Sequence, residues 1–236
     1  MPTTCTICWW PVKAAPCCPT RSLSAPELQP LTLVAVRHGR TAWNAERRFQ
    51  GHTEVPLDAT GLAQAAALAA HLRDEAFDAA ISSDLTRALA TGQRIVREHP
   101  GLAVAPDPRW REMMFGAWEG LTWPEIIERF PGTAAAPNSG GAFVTPPEGE
   151  SFEAVCTRVA AAVACLRADF SGGGTVLLAT HAGPLHALLR VALGADAAAA
   201  LAVRFEPASL TRLRFHADGV EVRELNVVPA PAPAGA

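Results

Sequence analysis

The sequence predicts an α/β fold with a mostly parallel central sheet that is covered by helices on both faces. Two observations support this prediction: short apolar runs alternate along the chain with Ala- and Leu-rich helical segments, and glycines follow several of the runs. Parallel strands need long crossover connections, and helical crossovers cover both faces of the sheet. The chain has 236 residues, 49% of them hydrophobic, which is enough to form a packed core without metals or disulfides.

The elements follow from local patterns. Residues 31–36 form an apolar run before a glycine turn and are predicted to be a buried strand, and residues 60–75 are predicted to be a helix that Thr60 can cap. The remaining predictions, in chain order, are a strand at 79–82, a helix at 85–98, a short strand at 103–105, helices at 123–129 and 152–168, a strand at 175–180, a helix at 184–193 with Pro184 near its first turn, and a closing hairpin of 210–215 and 220–225. The Pro- and Gly-rich residues 131–149 are predicted to form a long loop.

These elements define one domain at residues 31–226. Residues 1–30 are proline-rich, show no periodicity and lack the basic-then-apolar order of a signal peptide, so we expect a disordered extension. Residues 227–236 are expected to be a disordered Pro/Ala tail. Four N-terminal cysteines are numerous enough to hold a zinc ion, but two of them are adjacent and no scaffold flanks them, so no metal site is predicted: Cys5, Cys8, Cys17 and Cys18.

Composition excludes several classes of partner. The formal net charge is −3, with 20 basic and 23 acidic residues, so the basic footprint of nucleic-acid or acidic-lipid binding is missing. Apolar runs are shorter than the roughly 18 residues that a membrane span needs. We therefore expect a cytoplasmic protein with no nucleic-acid or membrane partner, and the sequence leaves its oligomeric state open.

Two histidines are predicted to lie at one edge of the sheet. His38 follows the first strand within an Arg-His-Gly tripeptide, and His181 follows the strand at 175–180 within a His-Ala-Gly tripeptide. Ligands of such sheets bind beyond the carboxyl ends of the strands, where loops lead into helix N-termini. The glycine after each histidine lets the backbone turn sharply and a ligand approach. A lone histidine is usually an ordinary polar residue, but a pair at matching strand ends predicts a functional site.

Seven blocks around these histidines carry a family resemblance. They are VRHGRTAWN at 36–44, RFQG at 48–51, VPL at 55–57, SSDLTRA at 82–88, REMMFGAWEG at 111–120, GES at 149–151 and THAG at 180–183. Together they resemble the histidine phosphatase superfamily, which also contains the cofactor-dependent phosphoglycerate mutases, over roughly residues 31–226. The resemblance implies a phosphoglycerate mutase-like fold.

The resemblance also implies catalytic roles. His38 would be the nucleophile that forms a phosphohistidine, and Glu112 would protonate the leaving oxygen and then activate water. Three cationic or donor groups would surround the phosphoryl group: Arg37, Arg87 and His181. Glu119 competes with Glu112 for the acid role, but its place in a Trp-Glu-Gly turn favours a structural role.

Further residues are predicted to contact the substrate. The predicted substrate-binding set is Gly39, Thr41, Asn44, Gln50 and Gly51. Thr41 has two open interpretations, a helix cap or a phosphate contact. The other histidines and the two later cysteines are interpreted as ordinary surface or core residues: His52, His71, His99, His186, His216, Cys156 and Cys165.

The branch of the family follows from the residues after Glu112. Mutases carry a basic and aromatic stretch there, whereas this chain has Met-Met-Phe. Residues 115–123, with the Gly-Glu-Ser block, resemble phosphatases such as α-ribazole phosphatases and broad-specificity phosphomonoesterases. The resemblance implies a histidine acid phosphatase-type phosphomonoesterase whose partner is a small phosphorylated metabolite, with α-ribazole phosphate as one candidate. No His, Asp and Glu residues have the spacing of metal ligands, and cationic side chains already supply positive charge, so we expect no metal or cofactor. Phosphoglycerate mutase-type transfer and non-catalytic phospholigand binding are the alternatives.

Overall fold

The computed structural model describes residues 30–135, 144–194, 199 and 202–230. The predicted N-terminal extension up to residue 29, with its four cysteines, and residues 231–236 of the predicted tail lie outside the described residues, as do residues 136–143 of the predicted long loop. The first part of that loop, Pro131–Ala135, forms a 3-10 helix.

The described chain contains six strands and six α-helices. In chain order they are β1 (Leu31–Arg37), α1 (Ala42–Ala45), α2 (Ala59–Leu72), β2 (Ala79–Ser82), α3 (Thr86–Val96), β3 (Val104–Pro106), α4 (Trp123–Arg129), α5 (Phe152–Asp169), β4 (Gly174–Thr180), α6 (Ala182–Leu193), β5 (Leu210–Phe215) and β6 (Val220–Val227). Two 3-10 turns, Pro108–Trp110 and Gly116–Trp118, flank an irregular segment at 111–115.

The strands form one mixed sheet in the order β3-β2-β4-β1-β5-β6. The first four strands of this order pair in parallel, and β5 and β6 close the sheet as an antiparallel hairpin. The predicted α/β class with a mostly parallel sheet is therefore confirmed. β6 extends one residue beyond the predicted domain boundary at 226.

Helices cover both faces, because alternate residues of each central strand point to opposite sides. On one face, Leu33 of β1 and Leu178 of β4 share a buried cluster with Val159 of α5 and Leu188 of α6. On the other face, the buried side chain of Val34 belongs to a cluster formed with α2 and α3, which includes Leu68, Leu72, Ile95 and Leu177. The central pair β1 and β4 is thus buried on both sides, which fixes its register against slippage.

The cap of α2 differs from the prediction. The side chain of Asp58 accepts a hydrogen bond from the amide of Gly61 at 2.8 Å, whereas Thr60 lies inside the first turn and accepts from Arg40 Nη2 at 2.8 Å. The prediction that Thr60 caps the helix was wrong because aspartate is at least as good an N-cap as threonine and stands two residues earlier.

Candidate active site

His38 and His181 meet at the carboxyl edge of the sheet. β1 and β4 pair with Arg37 opposite Thr180, so the two histidines leave neighbouring strands side by side. The amide of His38 donates to the carbonyl of Thr180 at 2.9 Å. The ring centroids of the histidines lie 5.0 Å apart at an interplanar angle of 60°. Parallel pairing therefore brings together two residues from opposite halves of the chain.

The imidazole of His38 is neutral and has a defined tautomer. Its Nδ1 lies 2.7 Å from the carbonyl oxygen of Gly39, and because a carbonyl only accepts, Nδ1 carries the proton. Burial lowers the pKa of His38 well below its usual value, and the charges of Arg87 and Arg37 lower this pKa further. Nε2 therefore keeps its lone pair, as a nucleophile requires.

Arg37 and Arg87 are anchored to the backbone through their terminal nitrogens. Arg37 Nη1 donates to the carbonyl of Phe205 at 2.6 Å, and Arg87 donates to the carbonyls of Thr53 and Gly51 at 2.9 and 2.7 Å. The Nε of each guanidinium is buried and has no hydrogen-bond partner among the described residues. A buried donor without a partner is costly, so these N–H groups are suited to the oxygens of an anion.

His181 contributes a third buried nitrogen of this kind. Its Nε2 lies 2.8 Å from Ser83 Oγ, which also accepts a hydrogen bond from the amide of Leu85 at 3.3 Å. Its Nδ1 is buried and without a partner in the described part of the chain. Burial lowers the pKa of His181 well below its usual value, and Arg87 and His38 act in the same direction. When Ser83 donates to Nε2, the single proton of the neutral ring lies on Nδ1.

The carboxylate of Glu112 is oriented by backbone amides. Its Oε1 accepts from the amides of Gly183 and Met113, both at 2.9 Å. Glu112 is 8% exposed and lines both cavities of the site, so Oε2 is the oxygen left for a ligand. Burial lowers the pKa of Arg37 and of Arg87, whereas the carboxylate of Glu112 raises both pKa values. Both guanidinium groups remain charged.

Glu119, the competing acid, has a structural position. Its Oε1 accepts from the amides of His52 and Phe115 at 3.0 and 3.1 Å, and its Oε2 accepts from the amide and hydroxyl of Thr53. A Cβ at Gly51 would lie within 1.9 Å of Glu119 Oε1. Glu119 therefore stabilises the loop at residues 51–53, and the carbonyls of this loop accept hydrogen bonds from Arg87.

Gly39 and Gly51, which were predicted to contact substrate, are closely packed. The amide of Gly39 donates to Thr91 Oγ1 at 3.2 Å, and a Cβ at Gly39 would lie 2.4 Å from the carbonyl oxygen of Gly61. The carbonyl of Gly51 is held by Arg87. Both glycines permit close packing next to His38 and Arg87, and a contact of either glycine with substrate stays a prediction.

Thr41 and Asn44 form a capping box at the start of α1. Thr41 Oγ1 accepts from the amide of Asn44 at 3.2 Å, and Asn44 Oδ1 accepts from the amide of Thr41 at 3.1 Å. Of the two interpretations of Thr41, the geometry matches the helix cap. Asn44 also lines both cavities, and its amide nitrogen makes it a candidate donor to substrate. Gln50 is buried and lines the smaller cavity.

Two adjoining cavities give the site its shape. The smaller, of about 240 Å³, is lined by His38, Arg87 and Gln50 among others. The larger, of about 1070 Å³, is lined by aromatic and apolar residues such as Trp123 and Phe152 together with several polar and charged side chains. Glu112 lines both. The arrangement places a cationic, donor-rich chamber beside a wider chamber of mixed character, with the carboxylate at their boundary.

Within the described ranges, no three His, Cys, Asp or Glu side chains are grouped as metal ligands would be. No helix in the same part of the chain has the length and apolar character needed to cross a bilayer.

Comparison with known proteins identifies the class. The profile of the histidine phosphatase superfamily (branch 1) matches residues 33–228, and the chain belongs to this superfamily. The protein named Bifunctional protein Rv2228c of Mycobacterium tuberculosis is 36% identical over 199 residues, which cover 84% of this chain. The chain spans about half (54%) of the length of that relative. Probable phosphoglycerate mutase GpmB of Yersinia pestis is 34% identical over 78% of this chain and 85% of its own length.

Solved structures share the fold over most of the chain. The mycobacterial glucosyl-3-phosphoglycerate phosphatase Rv2419c in complex with VO3 is 33% identical with a TM-score of 0.75, covering 84% of this chain and 99% of its own. The α-ribazole phosphatase from Shigella flexneri is 27% identical with a TM-score of 0.76, covering 86% of this chain and 99% of its own. The chain is thus similar to both phosphatases and mutases of its superfamily.

Proposed function

We propose that the protein is a phosphomonoester hydrolase that acts through a phosphohistidine at His38. The observation that carries this proposal is the set of three buried nitrogens without hydrogen-bond partners in the described chain, on Arg37, Arg87 and His181, around a neutral histidine. Phosphoryl transfer requires donors around the equatorial oxygens and a nucleophile in line with the leaving oxygen. The smaller cavity is lined by His38, Arg37 and Arg87, and the ring of His181 lies beside that of His38.

In the first step, Nε2 of His38 attacks phosphorus and the bond from phosphorus to the alcohol oxygen breaks. The two arginines stabilise the charge on the equatorial oxygens. Glu112, protonated at this stage, gives its proton to the departing oxygen, so that a neutral alcohol leaves.

In the second step, Glu112 is ionised and removes a proton from water as the water oxygen attacks phosphorus. The bond from phosphorus to Nε2 breaks, and its electron pair returns to the ring. Inorganic phosphate leaves and Glu112 is protonated again, which restores the starting state. No metal or cofactor enters this scheme, because the guanidinium groups supply the positive charge.

The larger cavity supports a bulky alcohol group. Two cations of its lining are already paired: Arg40 with Asp58 at 2.8 Å and Arg204 with Glu206 at 3.5 Å. The rest of the wall combines aromatic and apolar residues with several polar side chains, a lining that suits a ring-bearing alcohol. α-Ribazole phosphate and glucosyl-3-phosphoglycerate, the substrates named for two structural neighbours, are therefore the first compounds to test.

The test is release of inorganic phosphate from a panel of esters that contains these two compounds, p-nitrophenyl phosphate and simple alkyl phosphates. We expect hydrolysis of several members. The His38→Ala variant is the control for contaminating phosphatase. Absence of phosphate release from every ester by folded protein would overturn the proposal and favour a phospholigand-binding role.

Mutase-type transfer is the second candidate, because the chain is 34% identical to a protein named as a phosphoglycerate mutase. A mutase returns the phosphoryl group to a retained phosphoglycerate instead of water. Incubation with 3-phosphoglycerate and a bisphosphorylated primer separates the two: 2-phosphoglycerate indicates a mutase, and free phosphate indicates a phosphatase.

A further inference from the structure

The segment that carries Glu112 has no regular secondary structure. Residues 111–115 lie between two 3-10 turns and belong to neither a helix nor a strand. The position of a catalytic carboxylate in such a segment must be fixed by side chains from elsewhere, because an irregular backbone does not satisfy its own hydrogen bonds.

Arg158 of α5 supplies much of this support. Its Nη2 donates to the carbonyl of Glu112 at 3.0 Å, and its Nη1 donates to the carbonyl of Arg109 at 2.8 Å. The same guanidinium forms a two-pronged ion pair with Glu150, with Nε to Oε1 at 2.8 Å and Nη2 to Oε2 at 2.9 Å. One planar group therefore joins helix α5 and residue 150 to the segment that carries Glu112 and to the 3-10 turn before it.

Glu150 completes the attachment. Its Oε2 accepts from the amide of Met114 at 3.3 Å, and its own amide donates to the carbonyl of Met114 at 2.8 Å. The ion pair is shielded, since the side chains of Arg158 and Glu150 are 19% and 17% exposed. A planar guanidinium that donates to both oxygens of a carboxylate fixes the orientation as well as the distance between the two groups. A lysine ammonium cannot do this at several acceptors at once.

We propose that Arg158, oriented by Glu150, is a positioning residue that holds the backbone of Glu112 so that its carboxylate meets the leaving oxygen. This inference rests on the proposed phosphatase function. It assigns Arg158 no contact with substrate. The charge of Arg158 also lowers the pKa of His181, but Arg158→Lys keeps that charge, so the positioning effect is the part that passes through Glu112.

The test is Arg158→Lys, which keeps the positive charge and removes the fork. Misplacement of a general acid harms poor leaving groups most, because a good leaving group departs without a proton. We expect kcat/KM to fall by about 10-fold or more with an alkyl phosphate and by less than about 3-fold with p-nitrophenyl phosphate. Complete loss of general acid catalysis would give the same pattern with larger factors.

Arg167→Lys is the matched control. Arg167 lies on the same helix and donates to a backbone carbonyl, that of His216, at 3.3 Å, away from the site. This variant should leave both substrates unaffected. Glu150→Gln, which retains the shape of the side chain but not its charge, should show the pattern of Arg158→Lys and provides a second variant if the lysine protein does not fold.

A double variant tests the route of the effect. In the Glu112→Gln background, Arg158→Lys should cost little more on the alkyl phosphate, because the group that it positions is already absent. Equal losses on both substrates, or full additivity in the double variant, would overturn the proposal and indicate a structural ion pair only. Failure of the phosphatase function itself has a different signature, since the unmodified protein would then release no phosphate.

Discussion

The amide of Gly183 donates to Glu112 Oε1 at 2.9 Å, and a Cβ at position 183 would lie only 2.3 Å from that oxygen. The first turn of α6 thus approaches the carboxylate closely because residue 183 has no side chain. His181 immediately precedes this turn. The orientation of the acid and the placement of the second histidine therefore depend on the same short stretch of backbone.

Gly183→Ala should displace the carboxylate of Glu112 without removing it. We expect a loss on the order of 10²-fold in kcat/KM for alkyl phosphates, because a shift of about 1 Å in a catalytic group costs this much. Gly172→Ala is the control, since a Cβ there meets nothing within 4 Å. Steady-state kinetics of both variants checks the expectation, and full activity of Gly183→Ala would contradict the described contact.

Glu112→Gln should discriminate between leaving groups. We expect a loss of about 10²-fold or more with alkyl phosphates and a smaller loss in phosphorylation by p-nitrophenyl phosphate, within the usual range of general acid catalysis. Because the proposed mechanism uses the same residue to activate water, a burst of nitrophenolate followed by slow turnover is expected with the nitrophenyl ester. Stopped-flow detection of nitrophenolate measures both phases.

The matched variant is Glu119→Gln, which replaces one of the oxygens that accept hydrogen bonds from residues 52 and 53 with a donor and is expected to reduce stability. If Glu119→Gln lost more activity than Glu112→Gln, and lost most with poor leaving groups, Glu119 would be the general acid instead of Glu112.

His38→Ala should abolish the covalent intermediate. Turnover is expected to fall by several orders of magnitude, and acid-labile phosphate labelling should vanish, while the arginines still bind phosphate. Acid-quench labelling with a radioactive ester and phosphate binding by calorimetry check the two parts. A His38→Ala protein that is still labelled, with labelling lost in His181→Ala, would exchange the roles of the two histidines.

The stability of the fold should decrease on mild acidification because of the buried histidines. The pKa values of His38 and His181 lie well below 6.5 in the folded protein, so both rings bind protons more readily when the chain unfolds. Their contribution to stability is complete above about pH 6.5 and is lost as the pH falls through the folded pKa values, by at most about 1.4 kcal/mol per pH unit for each ring.

Urea unfolding between pH 5 and 8 tests this dependence. His38→Gln should show a shallower decline below about pH 6.5 than the unmodified protein, since one titrating ring is missing. His71→Gln, at an exposed position of α2, is the control. Parallel curves for the protein and His38→Gln would contradict a depressed pKa for His38.

Chelation should leave turnover unchanged. Two fixed guanidinium charges stand where a phosphatase that depends on metals would use its ions. Assays after dialysis against EDTA, with a metal-dependent phosphatase treated in parallel, check this expectation. Loss of activity that magnesium or zinc restores would contradict the proposed mechanism.

The sequence predicted the site best where regular structure determines it. His38 and His181 each follow an apolar run directly, and parallel strands bring such positions to one edge. Glu112 lies in an irregular segment that distant side chains hold in place, so no periodic pattern surrounds it. It could be predicted as a site residue only from the family resemblance. The observed helix boundaries differ from the predicted ones by a few residues where two residues can each cap the helix, as Asp58 and Thr60 can at the start of α2.

Positioning residues were the part that the sequence did not reveal. An arginine on a helix of an arginine-rich chain is usually a surface residue, and nothing local distinguishes Arg158 from Arg167. Ser83 stood within a quoted block, yet its contact with His181 depends on strand pairing. Gly39 and Gly51 lie at the predicted edge, but only the packed structure shows how closely Gly61 approaches the first and the Glu119 side chain the second.

The central position of β1 affects the order in which the protein becomes functional during synthesis. β1 is made early but pairs with β4 on one side and β5 on the other, both from the last third of the chain. Such non-local pairing is slow, and on the ribosome it must wait until those strands have emerged. In a nascent or truncated chain, His38 therefore has no His181 beside it. Binding and hydrolysis of phosphate esters should begin only when the sheet is complete.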